Sequence, residues 1–415
     1  MTDPTSLEHA SALDAADPLA HYRALFVGAE TPLVYFDGNS LGRPLRATAE
    51  RLSSFVTDEW GDRLIRGWDE SWFELPLTLG DRLGQAVLGA AAGQTVVGDS
   101  TTVLLYKLAR AAVDAQVAAD PARREIVVDT DNFPTDRYLA EGIAAERGLT
   151  VRWVEVDPAS GITADLLAAA VGPATALVLL SHVAYRSAFI ADVPALTRIA
   201  HDAGALVLWD LSHSVGSVPV ELDAWEVDLA AGCTYKYLNG GPGSPAFGYL
   251  ATRHQGLLDQ PITGWMGHAD PFLMGPGYRP STGVRRLLSG TPPVTGMLAM
   301  QDMLALVAEA GMPAIRAKSL ALTSYALEVA GAWLAPLGVT VASPPEPELR
   351  GGHVTLIHPA MREVTARLWR ADVIPDYRDP HGLRIGLSPL STSFEEVRRG
   401  LAAVRDTLQE LGATG

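Results

Sequence analysis

The chain has 415 residues, 48% of them hydrophobic and 19% charged, a globular composition that excludes a disordered protein. At about 150 residues per domain, it has room for two or three domains, or for one large domain with an appendage. Its net charge of -16 repels phosphate backbones and excludes bulk nucleic-acid binding, and its single cysteine, Cys233, excludes an intrachain disulfide and a cysteine-cluster metal site, so no metal is expected.

The N-terminal stretch MTDPTSLEHASALDAADPL lacks a basic region followed by an apolar one, so it does not read as a signal peptide. Apolar runs such as ALVLL fall far short of the ~18 residues a membrane span needs. The expectation is a soluble cytoplasmic protein with no membrane partner.

From residue 95 onward, short apolar runs bounded by Gly, Asp, Ser or Pro alternate with helical patterns. The spacing predicts strands at Thr95–Val97, Glu125–Val128, Val151–Val156, Ala176–Leu180, Ala205–Trp209, Asp228–Cys233 and Phe247–Leu250. It predicts helices at Val103–Ala115, Asp136–Glu146 and Val193–Ala203. Continuous apolar strands alternating with helices indicate an α/β unit with a mostly parallel, buried sheet. After Pro292-Pro293 the texture changes. Two long helical segments, Gly296–Ala310 and Met312–Leu334, lead into candidate strands Val339–Ala342, Val354–His358, Val373–Asp376 and Leu383–Leu387, and Phe394–Leu411 is amphipathic. The expected organisation is a large α/β domain over 46–293, and a smaller α+β domain formed by 294–415 with the N-terminal segment 1–45.

The basic residues are unevenly divided. Lys107, Lys236 and Lys318 are the lysines among 32 basic side chains, and the rest are arginine. Arginine keeps its proton and cannot act as an amine nucleophile, so amine chemistry has three possible places. Lys107 sits in a helical pattern and Lys318 in the RAKS stretch, and both read as solvated charges. Lys236 follows an apolar run, stands between two tyrosines and precedes a Gly/Pro-rich loop, where burial and neighbours can free an amine's lone pair.

Asp210, in LWDLSHSVG, ends another apolar strand, and ligands bind at such strand ends. Alone, it is as readily the cap of the next turn, and His213 as readily a structural histidine. A strand-end Asp and a later strand-end Lys together suggest pyridoxal phosphate: the Asp holds the ring nitrogen protonated and the Lys takes the aldehyde. A phosphate then needs donors. Thr101 and Thr102, opening a helix after a short strand, offer hydroxyls and helix N-terminal N–H groups, although a plain N-cap explains them equally well when taken alone. In DNFPTDRY, Phe133 is placed to stack on the ring, and Asp136 to sit near its nitrogen or to support Asp210.

The segments YFDGNSLG, RGW, STTVLLYKL, DNFPTDRY, LSHVAYRS, LWDLSHSVG, CTYKYLNGGPGS, GWMGH and LLSGTPPV resemble those of the kynureninases, in order, from about residue 20 to the C-terminus. The lysine block with FPTD and WDLSH is specific to that family; alone, it points only to class V aminotransferases and desulfurases. The resemblance implies the aspartate-aminotransferase fold (fold type I), a pyridoxal 5'-phosphate cofactor, and hydrolysis of L-kynurenine to anthranilate and L-alanine in tryptophan catabolism. It implies Lys236 as the cofactor lysine, Tyr235 as phosphate contact and proton relay, and Asp210 with its neighbour His213 at the ring. It also implies Thr101 and Thr102 at the phosphate, Phe133, Pro134, Thr135 and Asp136 around the ring, and Ser181 nearby. Trp265 and Thr291 match residues that reach the phosphate from a neighbouring subunit, which implies a homodimer with active sites at the interface. Arg384 matches the arginine for the substrate α-carboxylate, with Asn39, Ser40 and Trp68 as further substrate contacts. Trp68 and the Gly290-Thr291 pair replace residues of the animal enzymes and point to the bacterial branch, which favours L-kynurenine over its 3-hydroxy form. A cysteine desulfurase is the nearest alternative, but the one cysteine lies in an apolar run before Lys236. A related hydrolase for a modified aryl substrate and a non-catalytic binding protein are the others.

Overall fold

A computed structural model describes residues 3–413. The chain opens with α1 (Leu7–Ala16), β1 (Val34–Tyr35), α2 (Arg46–Ser54) and α3 (Leu75–Leu83). The alternating part follows: β2 (Thr95–Gly98), α4 (Thr101–Ala119), β3 (Glu125–Asp129), α5 (Pro134–Arg147), β4 (Thr150–Val154), α6 (Ala164–Ala170), β5 (Thr175–Ser181), α7 (Val193–Asp202), β6 (Leu206–Asp210), β7 (Leu229–Gly232) and β8 (Ala246–Leu250). The last part holds α8 (Val294–Ala310), α9 (Met312–Trp333), β9 (Thr340–Val341), β10 (His353–Ile357), α10 (Met361–Arg370), β11 (Val373–Ile374), β12 (Asp376–Arg378), β13 (Gly382–Gly386) and α11 (Phe394–Ala413).

Seven strands form one sheet in the order β2-β8-β7-β6-β5-β3-β4. The pairs β3/β4, β3/β5, β5/β6 and β6/β7 are parallel, and β8 is antiparallel to both neighbours. The alternation of strand side chains sorts the core. Val127, Val178, Val207 and Trp209 pack on one face, and Ile126, Leu177, Leu179 and Leu208 on the other. Helices are entered by caps that the sequence supplies: Ser100 accepts from Val103 N, Asp192 accepts from Ala195 N, and Pro134 opens α5. No single helix among the described residues is long and apolar enough to cross a membrane.

A separate apolar cluster joins Val34 and Phe36 to Leu322, Leu356, Ile385, Val397 and Leu401. Its sheet runs β12-β13-β10-β9, all antiparallel, while β1 pairs in parallel with β11. The expected strand Val373–Asp376 is in fact two. Pro375 offers no N–H to a ladder, and the chain changes sheets there, from β1's partner to β13's. α8 buries Met297, Met300 and Met303 in the core of the large sheet.

Candidate active site

Parallel strands deliver their C-terminal residues to one edge of a sheet, and open α/β sheets hold ligands there. β3 ends on Asp129, β5 on Ser181, β6 on Asp210 and β7 on Gly232, with Ser181 in register with Asp210. Beyond β7, Asn239 takes a left-handed backbone (φ 51), and its side-chain amide donates to Arg43 O at 2.7 Å. Thr234 Oγ1 donates to Pro245 O at 2.6 Å. These bonds pin both sides of the Lys236 turn. Lys236 Nζ comes 3.3 Å from His213 Nε2 and 5.9 Å from the Phe133 ring centroid. Tyr185 meets the Phe133 ring edge-on at 5.3 Å. Ser181 Oγ donates to Asn132 Oδ1 at 2.7 Å, and Asn132 Nδ2 donates to Leu179 O at 3.1 Å. Lys236, His213, Phe133, Asp136 and Asp210 therefore share one crevice, with Pro134 and Thr135 half-buried beside it.

The electrostatics of this crevice are unusual. Asp136 is fully buried, and neither carboxylate oxygen has a hydrogen-bond partner. Burial, followed by the charges of Asp210 and Asp129, pushes its pKa well above the carboxylate range, against the pull of Lys236. Burial and Asp131 push Asp129 up to about 7, and burial raises Asp131 to about 6. His213 is driven the other way. Burial, with Lys236 and Arg384 nearby, holds it well below its ordinary value, so its imidazole is neutral at pH 7. Burial raises the Tyr235 phenol, so it keeps its proton and remains a donor.

These groups fit pyridoxal phosphate. A buried carboxylate with two bare oxygens calls for a cationic N–H, and a protonated pyridine nitrogen is one. Phe133 supplies a ring face and Lys236 an amine. Thr101 and Thr102 stand at the first two positions of α4, where backbone N–H groups have no partner within the helix.

Arg384 lies on β13 opposite Thr355 and is 1% exposed. Its Nε donates to Asp376 Oδ2 at 2.8 Å and its Nη1 to Tyr185 O at 2.6 Å, while Nη2 reaches Asp376 and also Ser40 Oγ at 3.1 Å. One Nη1 hydrogen and the Ser40 position are what remain for a substrate carboxylate. Asn39 packs where a Cβ on Gly386 would stand 1.9 Å from its Oδ1, so only glycine fits there, and both atoms of its amide lack partners. Trp68 and Thr291 lie elsewhere. They share an apolar groove of about 440 Å³ with Phe55, Trp60 and Trp72. Trp265 stands apart from that groove, 6.0 Å from Phe272.

Two expectations fail. Lys107 and Lys318 are not solvated. Both are buried, Lys107 on Asp99 at 2.6 Å and Lys318 on Asp17. The helical pattern around each lysine carries no sign of a carboxylate waiting in another segment. Four site residues escaped the sequence reading. Asn132 and Asp37 sit inside recognised motifs, and burial lifts Asp37 to about 6. Asp376 is visible only as the partner of Arg384. His353 is fully buried, 5.7 Å from His213 between ring centroids, and neither of its ring nitrogens has a partner at hydrogen-bonding geometry.

Comparison with known proteins adds a second line. A family model described as Aminotransferase class-V matches residues 85–339, and one described as Kynureninase C-terminal domain matches residues 315–404. The chain is 42% identical over 404 residues to a kynureninase of Burkholderia pseudomallei, covering 97% of this chain and 95% of that protein. It is 43% identical over 390 residues to a kynureninase of Pseudomonas fluorescens, covering 93% and 91%. Among solved structures, the apo cysteine desulfurase of Thermococcus onnurineus superposes with a TM-score of 0.80 at 18% identity, covering 94% of this chain and 98% of that one. A C-DES mutant with glycine linked to its PLP cofactor gives 0.80 at 19%, covering 92% and 99%. At those identities the likeness speaks for the fold alone.

Proposed function

The chain belongs to the kynureninase family, and from that membership we propose its reaction: hydrolysis of the Cβ–Cγ bond of L-kynurenine to anthranilate and L-alanine. The fold is that of the fold type I enzymes, and the cofactor is pyridoxal 5'-phosphate. The observation that carries the reading is the state of the three lysines. Lys107 and Lys318 each end on a carboxylate, whereas Lys236 has an imidazole beside it and lies at a strand end among the groups the cofactor needs.

When bound, the cofactor offers an aldehyde to an amine and an aromatic ring that takes up the electrons of a breaking bond. The chain does the rest. Asp136 and Asp210 hold the proton on the ring nitrogen, and Phe133 covers the ring face. Thr101, Thr102 and the N-terminus of α4 hold the phosphate. Arg384, with Ser40 and Asn39, fixes the α-carboxylate and so turns the Cα–H toward Lys236, which moves that proton. Tyr235, still protonated, donates at the γ-carbonyl. Neutral His213 has a lone pair for the proton of the attacking water. The water's oxygen ends on the aroyl carbon, as the carboxylate of anthranilate, and a proton ends on the β-carbon, giving alanine.

The reading includes a homodimer and a cytoplasmic location. Trp60, Leu64 and Ile65 are 55–76% exposed near the Trp68 groove, and Phe272 and Met274 are 60% and 76% exposed beside Trp265. Apolar surface of this kind is what a second copy covers. That copy would bring Trp265 and Thr291 to the phosphate of the neighbouring site. Sedimentation at twice the chain mass, lost in Ile65→Asp, supports this; a native monomer with full activity refutes it.

Incubation with L-kynurenine should release fluorescent anthranilate, with slower release from 3-hydroxykynurenine. Lys236→Ala should lose both turnover and the visible absorbance of the bound cofactor. A cofactor-loaded protein that releases sulfide from cysteine and no anthranilate overturns the assignment. Cys233, 2% exposed with Sγ against Ser212 O, is poorly placed for desulfurase chemistry. Release from other ring-substituted kynurenines alone would point to a modified aryl substrate.

A further inference from the structure

We propose that Lys107 is a positioning residue for the cofactor phosphate: its buried amine locks the turn that opens α4 to the loops carrying Trp265 and Thr291. The inference rests on the reading above that the phosphate sits at the N-terminus of α4.

Lys107 lies six residues into α4, about 9 Å along the helix axis from Thr101, so it does not contact a phosphate held at that end. It is fully buried, and its amine donates to Asp99 Oδ2 at 2.6 Å, to Leu287 O and to Ser289 Oγ. An ammonium has three hydrogens, and all three are used. Ser289 Oγ in turn donates to Asp99 Oδ2 at 3.1 Å, which closes a triangle.

Each corner leads to a proposed phosphate contact. Asp99 has a positive φ of 49°, a backbone state that non-glycine residues rarely hold without support. Ala246 N grips its carbonyl at 3.0 Å, and Lys107 grips its carboxylate. The next residue is Ser100, the N-cap, followed by Thr101 and Thr102. The strained residue therefore aims the turn, and Lys107 holds the strained residue. On the other side, Ser289 O accepts from Met266 N at 3.1 Å, and a Cβ on Gly264 would stand 2.1 Å from the same oxygen. Those contacts seat the turn of Trp265. Thr291 follows two residues after Ser289. One amine thus sets the position of the segment that faces this chain's own phosphate relative to the two that reach the phosphate of the neighbouring subunit's site.

Pyridoxal, the aldehyde without the phosphate, separates this role from general support. Apoprotein is titrated with pyridoxal phosphate and with pyridoxal, and the visible band of the Lys236-bound cofactor is read. In Lys107→Met the dissociation constant for pyridoxal phosphate should rise about ten- to a hundredfold, the range of one charge-assisted hydrogen bond. That for pyridoxal should stay within about twofold. Equal weakening of both ligands, or no change in either, overturns the proposal. If Lys107→Met does not fold, Asp99→Asn, which keeps the side-chain shape and removes the charge Lys107 holds, is read in the same way. A native protein that binds neither aldehyde defeats the cofactor reading itself, a different outcome.

Discussion

Asp136→Asn should make the empty protein more stable and the loaded protein worse. The native carboxyl is fully buried, has no hydrogen-bond partner, and faces the Asp210 and Asp129 carboxylates. Keeping a charge there, buried and facing two other carboxylates, costs at least the roughly 1–3 kcal/mol of a desolvated buried polar group. Asparagine removes the charge and keeps the shape. Unfolding entropy near 2.1 cal/mol/K per residue gives about 0.9 kcal/mol/K for 415 residues, so the apoprotein should melt about 1–3 °C higher. The gain should depend on pH. The folded pKa is raised above 3.8, so between 3.8 and the folded value the native state keeps a proton that the unfolded chain has lost. Native stability therefore falls as pH rises through that window, and Asp129 near 7 tilts the curve the same way. The variant should gain little at pH 4 and most at pH 7 to 8. With cofactor the sign reverses, because the ring nitrogen loses a carboxylate: affinity should fall about tenfold or more, from the loss of a charge-assisted bond. Calorimetry on apo and loaded forms at two pH values reads both effects. An apo variant that melts below native at both, or one that keeps native cofactor affinity, refutes the reasoning.

Arg384→Lys should raise KM for L-kynurenine about ten- to a hundredfold while the cofactor band persists, since a point ammonium cannot replace a fork that Asp376 and Tyr185 already hold in place; an unchanged KM refutes this. Asp228→Asn should lower the melting temperature by about 3–6 °C, because it breaks a buried ion cluster worth about 3–5 kcal/mol in a chain with about 0.9 kcal/mol/K of unfolding entropy. Asp228 raises the pKa of His201, so that part of the stability is complete below 6.5 and fades as pH climbs through the folded value; the loss in the variant should be smaller at pH 9 than at pH 6. Excess pyridoxal phosphate followed by borohydride should label Lys236 and no other lysine in the folded protein, with Lys107 and Lys318 labelled only after denaturation; peptide mapping decides.

The strands of the large sheet were legible because a buried parallel strand is a continuous apolar run, and each run ends where a polar residue meets the crevice. Lys236, Asp210 and Phe133 were found in that way. What was hidden depends on partners far along the chain. Lys318 is buried because Asp17 reaches it across 301 residues, and nothing in RAKS announces that. β1 is two residues long and is defined only by its pairing with β11. His353 stands one residue before the expected strand Val354–His358, with nothing in the sequence to single it out. It becomes notable only when β10 sets it against His213.

Two buried aspartates show how the sheet divides its work. Asp228, just before β7, accepts from Val207 N, His201, His254 and Arg253. Burial works against its charge, yet those donors outweigh burial and hold its pKa far below the carboxylate range. Asp136, beside the opposite edge, has no donor at all, and its pKa goes up. The same side chain in the same low-dielectric core is thus a completed anchor at one end of the strands and an open valence at the other. The side-chain amide of Asn39, buried beside Gly386, is also without a partner. A sheet that satisfies Asp228 so fully at its N-terminal edge keeps enough stability to leave Asp136 unsatisfied at the C-terminal edge. The unsatisfied groups are the ones a charged, flat ligand with a carboxylate can complete, so the cost of leaving them unpaired is relieved when it binds.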